Sequence, residues 1–468
     1  MSTESTRPAA NRAPDEALER ARVLARHARD EEARQAYLEI LHIDPANFAA
    51  LNELGTLALK GGFRSAARTA YAQAVALHPS NPIGRVNLAN VMREDNDVAG
   101  ARLHYEAALA IDPDLPAAHQ GMAWVSAELG LPGAEEHRRR GFDGRALITQ
   151  PYRGAGAGVP LVLLVSARGG NLPTRLWIDD RRFTIHAIYA DHWSRGSPLP
   201  PHALMVNAIG DADLCAEALE HAEALADGTQ APVVNHPARI KLTGRAENAR
   251  RLAAIPGVIA PRIERLSRAA LGEARDLAFP LLLRSPGFHT GRHFVYVASR
   301  ADLEAAVAGL AGDELLAIQY LDARGADGMA RKYRVMFVDG RAYPLHLAIS
   351  SDWKVHYFSA DMARSAAFRE EERRFLEDMP GVLGARAMQA LGGICAALGL
   401  EYAGVDFALA GDGSVLLFEA NATMVVFPPG PEAVWDYRRG SIDTIIEAAK
   451  RMLDARPGTA AVSRVPAR

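Results

Sequence analysis

The chain has 468 residues, 49% of them hydrophobic, with a formal net charge of −3 and a pI near 6.6. That length allows several domains with cores of their own, while the near-neutral balance argues against a nucleic-acid footprint or a polybasic membrane patch. Two cysteines only, Cys215 and Cys395, stand far apart outside any C-x-x-C spacing, which argues against a disulfide framework or a zinc site and fits a reducing compartment.

The first residues, "MSTESTRPAANRAPDEALER", are polar and charged without an apolar core, so no secretory signal is expected there. The longest apolar strand, "VPLVLLVSA", is too short to span a bilayer. A cytoplasmic protein is expected, with neither membrane nor nucleic acid as partner.

Residues 1–15 read as a disordered tail. Over the next 130 or so residues a period appears. Tyr37, Tyr71 and Tyr105 are 34 residues apart, and so are Ala33, Ala67 and Ala101, then Leu41, Val75 and Leu109, then Pro45, Pro79 and Pro113. Four register-locked positions over three units predict stacked helical hairpins, with the small alanines permitting close helix approach and each proline ending the second helix of its unit. A fourth, imperfect unit is expected from Asp114 to about Phe142, so the repeats are assigned to 16–145. The pattern resembles tetratricopeptide (TPR) repeats, which implies a concave surface for a peptide or protein partner; a scaffold or dimerisation module with an empty groove is the plain alternative, and self-association stays open.

A linker, 146–158, follows, its "TQPYRGAGAGVP" rich in turn signals. Gly154, Gly156 and Gly158 precede the next strand instead of following it, which rules out a dinucleotide fingerprint. From 159 to 240, short apolar runs such as "HALMVNAIGDAD" and "APVVNHP" alternate with helical stretches, predicting an α/β subdomain with a mostly parallel sheet. From 241 to 455, "FPLLLRSPGFHTGRHFVYV" and "KYRVMFVDGRAYPLHLAIS" predict antiparallel hairpins turning at Gly287–Gly291 and at Asp339-Gly340. A helix is expected over about Gly381–Leu398 and another over "TIIEAAKRML"; 456–468 reads as a tail. The fold class is therefore multidomain: an all-α repeat solenoid followed by an α/β (α+β) region.

The chemistry concentrates in "EYAGVDFALAGDGSVLLFEANATM". Two apolar strands flank a turn, and if the loop holds an even number of residues, Asp406 shares a face with Glu419 and Asn421. Two carboxylates and an amide oxygen on buried strands suit Mg²⁺, since an unpaired carboxylate there would be costly. An exposed hairpin with incidental acids and a glycosidase acid pair are the other readings; the second gives Asn421 and the basic strands nothing to do.

These residues resemble the ATP-grasp superfamily, whose familiar members are D-alanine–D-alanine ligase and glutathione synthetase. Its metal hairpin carries Asp, about a dozen residues, then Glu-x-Asn, and "RVMFVDG" is similar to its Arg-Val-x-x-x-Asp-Gly strand pair. The resemblance covers roughly Val159 to Leu453. It implies that Asp406, Glu419 and Asn421 hold Mg²⁺, and that Arg334, with Lys332 and Arg284, meets the phosphates of ATP. Backbone groups around Gln319, Tyr320 and Leu321 in "LLAIQYLDA" would seat the adenine. His289 and Arg292 would belong to a phosphate-covering loop, "SPGFHTGRH". Arg245, at a helix start capped by Thr243, would reach the nucleotide; the plain alternative is a surface helix whose Arg250 and Arg251 are solvated. Asn235 and His236 end a strand where α/β sites form.

Two departures stand out. Arg284 occupies a place where the family has Lys, and Gly404 one where the D-alanine ligase has Arg. The segment His346, Asp352, Trp353, Lys354 and His356 reads either as part of an acceptor site or as a structural loop. The implied activity is an ATP-dependent ligase that activates a carboxylate as an acyl phosphate and couples it to an amine or thiol, the substrates being small molecules or peptides. A kinase acting on a hydroxyl and a TPR scaffold with a non-catalytic ATP site are the alternatives.

Overall fold

The computed structural model describes residues 12–287, 293–355, 360–430 and 432–458. They form two compact units, one of residues 12–159 with 180–194, the other of the described residues in 160–179 and 195–458.

The first unit is built from helical hairpins: α1 (Arg12–Arg26) with α2 (Asp30–Ile43), α3 (Phe48–Lys60) with α4 (Arg64–Leu77), α5 (Pro82–Glu94) with α6 (Val98–Ile111), and α7 (Pro116–Leu129) with α8 (Ala134–Phe142). The 34-residue period marks α2, α4 and α6. Each stops two residues before its proline, because the residue preceding a proline is pushed out of helical geometry. Ala33, Ala67 and Ala101 are fully buried, which lets neighbouring backbones close up, and Tyr37, Tyr71 and Tyr105 fill the space between hairpins. The polar ends of two tyrosines are satisfied: Tyr71 meets the Thr56 hydroxyl at 2.9 Å and Tyr105 donates to Asn90 at 2.6 Å. Asn47, Asn81 and Asp97 accept backbone N–H groups at the starts of α3, α5 and α6. The expected linker contains a short strand, β1 (Leu147–Thr149), antiparallel to β3 (Phe183–Tyr189). Its Leu-Ile-Thr run has strand propensity, and the turn-rich residues after it do not.

In the second unit, β2 (Val159–Val165), β4 (Leu204–Asn207) and β5 (Val233–Val234) are parallel, as the alternating pattern predicts. The helix α9 (Ala216–Asp227) separates β4 from β5, and α10 (Pro237–Ile240) and α11 (Arg245–Leu252) follow. After β6 (Val258–Ile259), a four-stranded antiparallel sheet in the order β7-β10-β8-β9 comprises β7 (Ile263–Ser267), β8 (Leu281–Arg284), β9 (Phe294–Val297) and β10 (Glu314–Gln319). Helices α12 (Arg268–Glu273) and α13 (Leu303–Ala308) cover its apolar face, around Leu271, Leu283, Val297 and Leu315.

A second sheet runs β12-β11-β13-β14-β6, from β11 (Ala330–Val338), β12 (Arg341–Ser350), β13 (Tyr402–Leu409) and β14 (Val415–Asn421). The β11–β12 turn is the expected Asp339-Gly340 pair, with positive φ at both residues. Helices α14 (Ala366–Glu377), α15 (Met379–Leu398) and α16 (Arg439–Asp454) complete the unit. α15 has the length and composition of a membrane span, but Gly384 breaks its helical geometry and it buries Ala387, Leu391, Ile394 and Leu398.

Candidate functional site

The hairpin β13–β14 reaches its polar arrangement by an unexpected route. The loop between the strands has five residues, an odd number, with Gly413 at φ +79° in the left-handed turn position. Uninterrupted alternation would then set Asp406 opposite Phe418. Instead the register shifts: Phe407 pairs with Leu417, while Asp406 pairs with Glu419. Phe418 is the extra residue of a β-bulge, and it lines the cleft. Odd loop and bulge cancel, so Asp406 and Glu419 are direct cross-strand neighbours, with Asn421 two residues along the same face.

The pairing extends sideways across the sheet. Arg334 on β11 is the cross-strand partner of Asp406, and His346 on β12 is the partner of Arg334. One polar row, His346–Arg334–Asp406–Glu419, thus crosses four strands. Arg334 donates to both oxygens of Asp406, Nε to Oδ1 at 2.6 Å and Nη2 to Oδ2 at 2.8 Å, and Lys332 Nζ lies 3.2 Å from Oδ2. Arg245 reaches over from α11 and donates to Glu419 Oε1 at 2.6 Å; Asn421 Nδ2 donates to the same oxygen at 2.8 Å. The amide oxygen of Asn421 in turn accepts from the Thr423 backbone N–H at 3.0 Å and hydroxyl at 2.9 Å.

Burial by itself would raise the carboxyl pKa values here. For Asp406 the charges of Arg334 and Lys332 outweigh burial and hold the carboxyl well below the usual carboxylate range; for Glu419, Arg245 and Arg284 outweigh burial and lower the carboxyl pKa. Burial, helped by the neighbouring Arg245, lowers Arg284 to about 10, and burial between Arg334 and Arg438 keeps His346 neutral. Arg284 sits on β8 with its guanidinium 5.5 Å from the Phe294 ring. The cleft is lined by Asp211, Asp213, Arg245, Arg284, Glu419 and Asn421 among others.

Residues missed by the sequence reading complete the site. Asp213, in the "GDAD" that follows β4, accepts the Arg245 backbone N–H at 2.9 Å and lies 3.6 Å from Arg265. It therefore serves the start of α11, whereas Thr243, expected as the cap, donates its hydroxyl to Ile240 O at 2.7 Å and Gly244 holds the cap position. Asn248 Nδ2 fixes the Ala420 carbonyl at 2.5 Å. An acidic pair just beyond a strand was the available signal for Asp213; nothing in the sequence marked Asn248 or Thr423.

Other expectations resolve one by one. Asn235 is a clamp: its side chain exchanges hydrogen bonds with the backbone of Tyr402, at 2.8 and 2.9 Å, and its N–H donates to Glu401 at 2.6 Å. His236 lies 3.4 Å from Asp227, at the start of α10. Arg250 pairs with Glu247 on the surface, and the half-buried Arg251 donates to Ala397 O at 2.9 Å. The Gln319 N–H donates to Arg262 O at 2.8 Å and its side chain accepts from the Arg262 N–H at 3.1 Å, so Gln319 closes the β7–β10 end. Gln319, Tyr320 and Leu321 are not among the residues that line the cleft. Trp353 packs against Phe294 and Tyr296, with ring centroids 5.5 and 5.6 Å apart, and Lys354 Nζ reaches Phe294 O at 3.4 Å. His289, Arg292 and His356 lie outside the described residues. At Gly404 a Cβ would stand 2.9 Å from both Met336 Sδ and Met424 Cβ, so the position cannot carry an arginine without repacking.

Residues 52–116 match the tetratricopeptide-repeat family, and the chain carries TPR repeats at its N-terminus followed by a mixed α/β region. No curated protein matches the chain. Among solved structures, a RimK domain protein ATP-grasp from Sphaerobacter thermophilus DSM 20745 is similar at 19% identity, over 63% of this chain and 98% of that one, with a TM-score of 0.40. MamA from Desulfovibrio magneticus RS-1 is similar at 20% identity, over 26% of this chain and 71% of its own, with a TM-score of 0.25. The first TPR of Spaghetti (RPAP3), bound to HSP90 peptide SRMEEVD, is similar at 18% identity over 25% of this chain and 93% of that one, with a TM-score of 0.24.

Proposed function

We propose that the chain is an ATP-dependent ligase of the ATP-grasp type, joining a carboxylate to an amine or thiol, with its TPR repeats recruiting a peptide or protein. The observation that carries this reading is the cross-strand row Arg334–Asp406–Glu419 with Asn421 on its face and Arg245 and Arg284 in the same cleft. Hard oxygen donors beside half-buried arginines and a lysine fit a divalent ion carrying polyphosphate, the basic side chains acting on the phosphates and the carboxylates on the metal. Bound ATP would supply the phosphoryl group that activates the substrate carboxylate.

The chain's own residues would bind and orient. Asp406, Glu419 and Asn421 would hold Mg²⁺; Arg245, Arg284, Lys332 and Arg334 would hold phosphates; Tyr320 and Leu321, beyond β10, would meet the base. His346, buried and neutral behind Arg334, would keep that guanidinium directed along the row. His289 and Arg292 keep the place in a phosphate-covering loop that the family pattern implies. The location follows the composition and is proposed as cytoplasmic.

The test is chemical. Full-length protein incubated with Mg-ATP, candidate carboxylates and hydroxylamine should release ADP and give a hydroxamate. Phosphate found on a hydroxyl, with no hydroxamate, would replace the ligase by a kinase.

A further inference from the structure

The repeats carry a histidine pair that the proposed chemistry does not use. His119 on α7 is 1% exposed, and both of its ring nitrogens are engaged. Nε2 lies 2.9 Å from the Pro113 carbonyl, and Nδ1 lies 2.8 Å from Nδ1 of His137 on α8. A carbonyl only accepts, so Nε2 of His119 carries the hydrogen and donates. In the neutral ring Nδ1 is then the lone-pair nitrogen, and it accepts from the Nδ1–H of His137. The direction of donation is therefore fixed, from His137 to His119 to Pro113.

The bridge between the rings has room for one hydrogen. A first proton can go to Nε2 of the half-buried His137 and leave the bridge intact. A second can go only to Nδ1 of His119, where it would face the N–H of His137 across the bridge and set two like charges together, one of them buried. Burial, then His119 and Arg140, lower the pKa of His137 below its ordinary 6.5 against the pull of Glu136. Arg140 is committed to the turn before α7, donating to Pro113 O and to Asp114 at 2.7 Å, and Asp112 accepts the Asp114 N–H at 3.1 Å. The other charges of α8, Arg138 and Arg139, pair with Glu135 and Glu136, and Glu128 stands in the last turn of α7. On α6, Arg102 pairs with Glu106 at 2.6 Å, and the charges acting on His104 are those of Arg85, Asp97 and Arg68. On α5, Arg85 donates to Pro79 O, Arg93 lies over the Trp124 ring and Glu94 faces Arg64.

We propose that His119 and His137 form a pH-operated clasp on the last hairpin of the repeats, closed while the bridge holds a single hydrogen and opened in mild acid, when both rings are charged and α8 loosens from α7. The far end of α8 stays held, since Phe142 packs on Tyr189 with ring centroids 4.4 Å apart and Asp143 lies 2.9 Å from His192 Nδ1. The loosening is local to one end of the repeat array and does not depend on the nucleotide reading. Its direction follows from proton binding. Below the ordinary imidazole value of 6.5 the open hairpin takes up protons that the closed one excludes, so closure is fully favoured above that value and weakens as pH falls below it.

The experiment is hydrogen–deuterium exchange of the full-length protein at about pH 7.5 and about pH 5.5, corrected for the intrinsic pH dependence of amide exchange. Protection of α8 in wild type should fall about tenfold at the lower pH, the size expected for one excluded proton over one pH unit below 6.5, while α3 to α6 keep theirs. A His119→Gln/His137→Gln chain, whose amides bridge without titrating, should change by less than about twofold. If that chain does not fold, the wild-type comparison of α8 with α3 to α6 decides. Equal protection of α8 at both pH values, an equal fall across all the repeats, or a folded double variant as pH-sensitive as wild type overturns the clasp.

Discussion

The repeat unit and the β11–β14 sheet solve the same problem, burying their interior, in opposite ways. In the repeats, small alanines and ring faces are buried at every 34th residue, and the polar atoms involved are neutral hydroxyls and amides. In the sheet, carboxylates and guanidiniums pair face to face across adjacent strands, Asp406 buried and Arg334 half-buried. Packing of the first kind is additive and local; burial of paired charges is stable only while every partner is present. The difference teaches where function lies. A fold that needed only stability would have filled the row at Arg334, Asp406 and Glu419 with apolar residues.

The largest test breaks one member of the row. Asp406→Ala leaves the half-buried Arg334 and Lys332 without their anion and should cost about 3 kcal/mol in urea unfolding. Adding Arg334→Met to the same chain should recover part of that loss; a double variant that is simply the sum of two losses would contradict the account of compensated charge.

Acid sharpens the contrast next. Asp406 and Glu419 have folded-state pKa values below their ordinary 3.8 and 4.5. Groups lowered in this way contribute stability that is present above those ordinary values and lost as pH falls through the folded ones. Unfolding free energy should therefore drop below about pH 4.5, by more than about 1 kcal/mol, and an Asp406→Asn/Glu419→Gln chain should show a flatter profile between pH 5 and pH 2.

Gly404→Arg, the change toward the D-alanine ligase pattern, should cost about 2 kcal/mol by thermal unfolding through its clash with Met336 and Met424. Asn81→Ala removes the side chain that accepts the Ile83 N–H at the start of α5, and should cost about 1 kcal/mol with no effect on nucleotide binding.

Much of this architecture was legible in the sequence because it is periodic or local. The prolines placed the ends of α2, α4 and α6, and Asp339-Gly340 placed a hairpin turn. The partners of the site were less legible. Asp406 and Glu419 do share a face, but through a five-residue loop corrected by a bulge at Phe418, and neither feature leaves a signature that spacing alone can read. Asp213 capping α11, Gln319 tied to Arg262 and Asn235 clamping Tyr402 are contacts between segments distant in the chain. They depend on how strands from different hairpins are brought together, which residue type does not record. The resemblance supplied the oxygen donors and the bases, and the structure added that the two sets are at present paired with each other.

The most direct measurement of the central claim is equilibrium binding of ATP in the presence of Mg²⁺ to the full-length protein and to Glu419→Gln, by isothermal titration calorimetry. The account predicts saturable, magnesium-dependent binding to wild type and at least about a tenfold loss in the variant, the size expected when one charged metal ligand is removed. Wild-type protein that binds no ATP, or a variant that binds it as tightly as wild type, would contradict it.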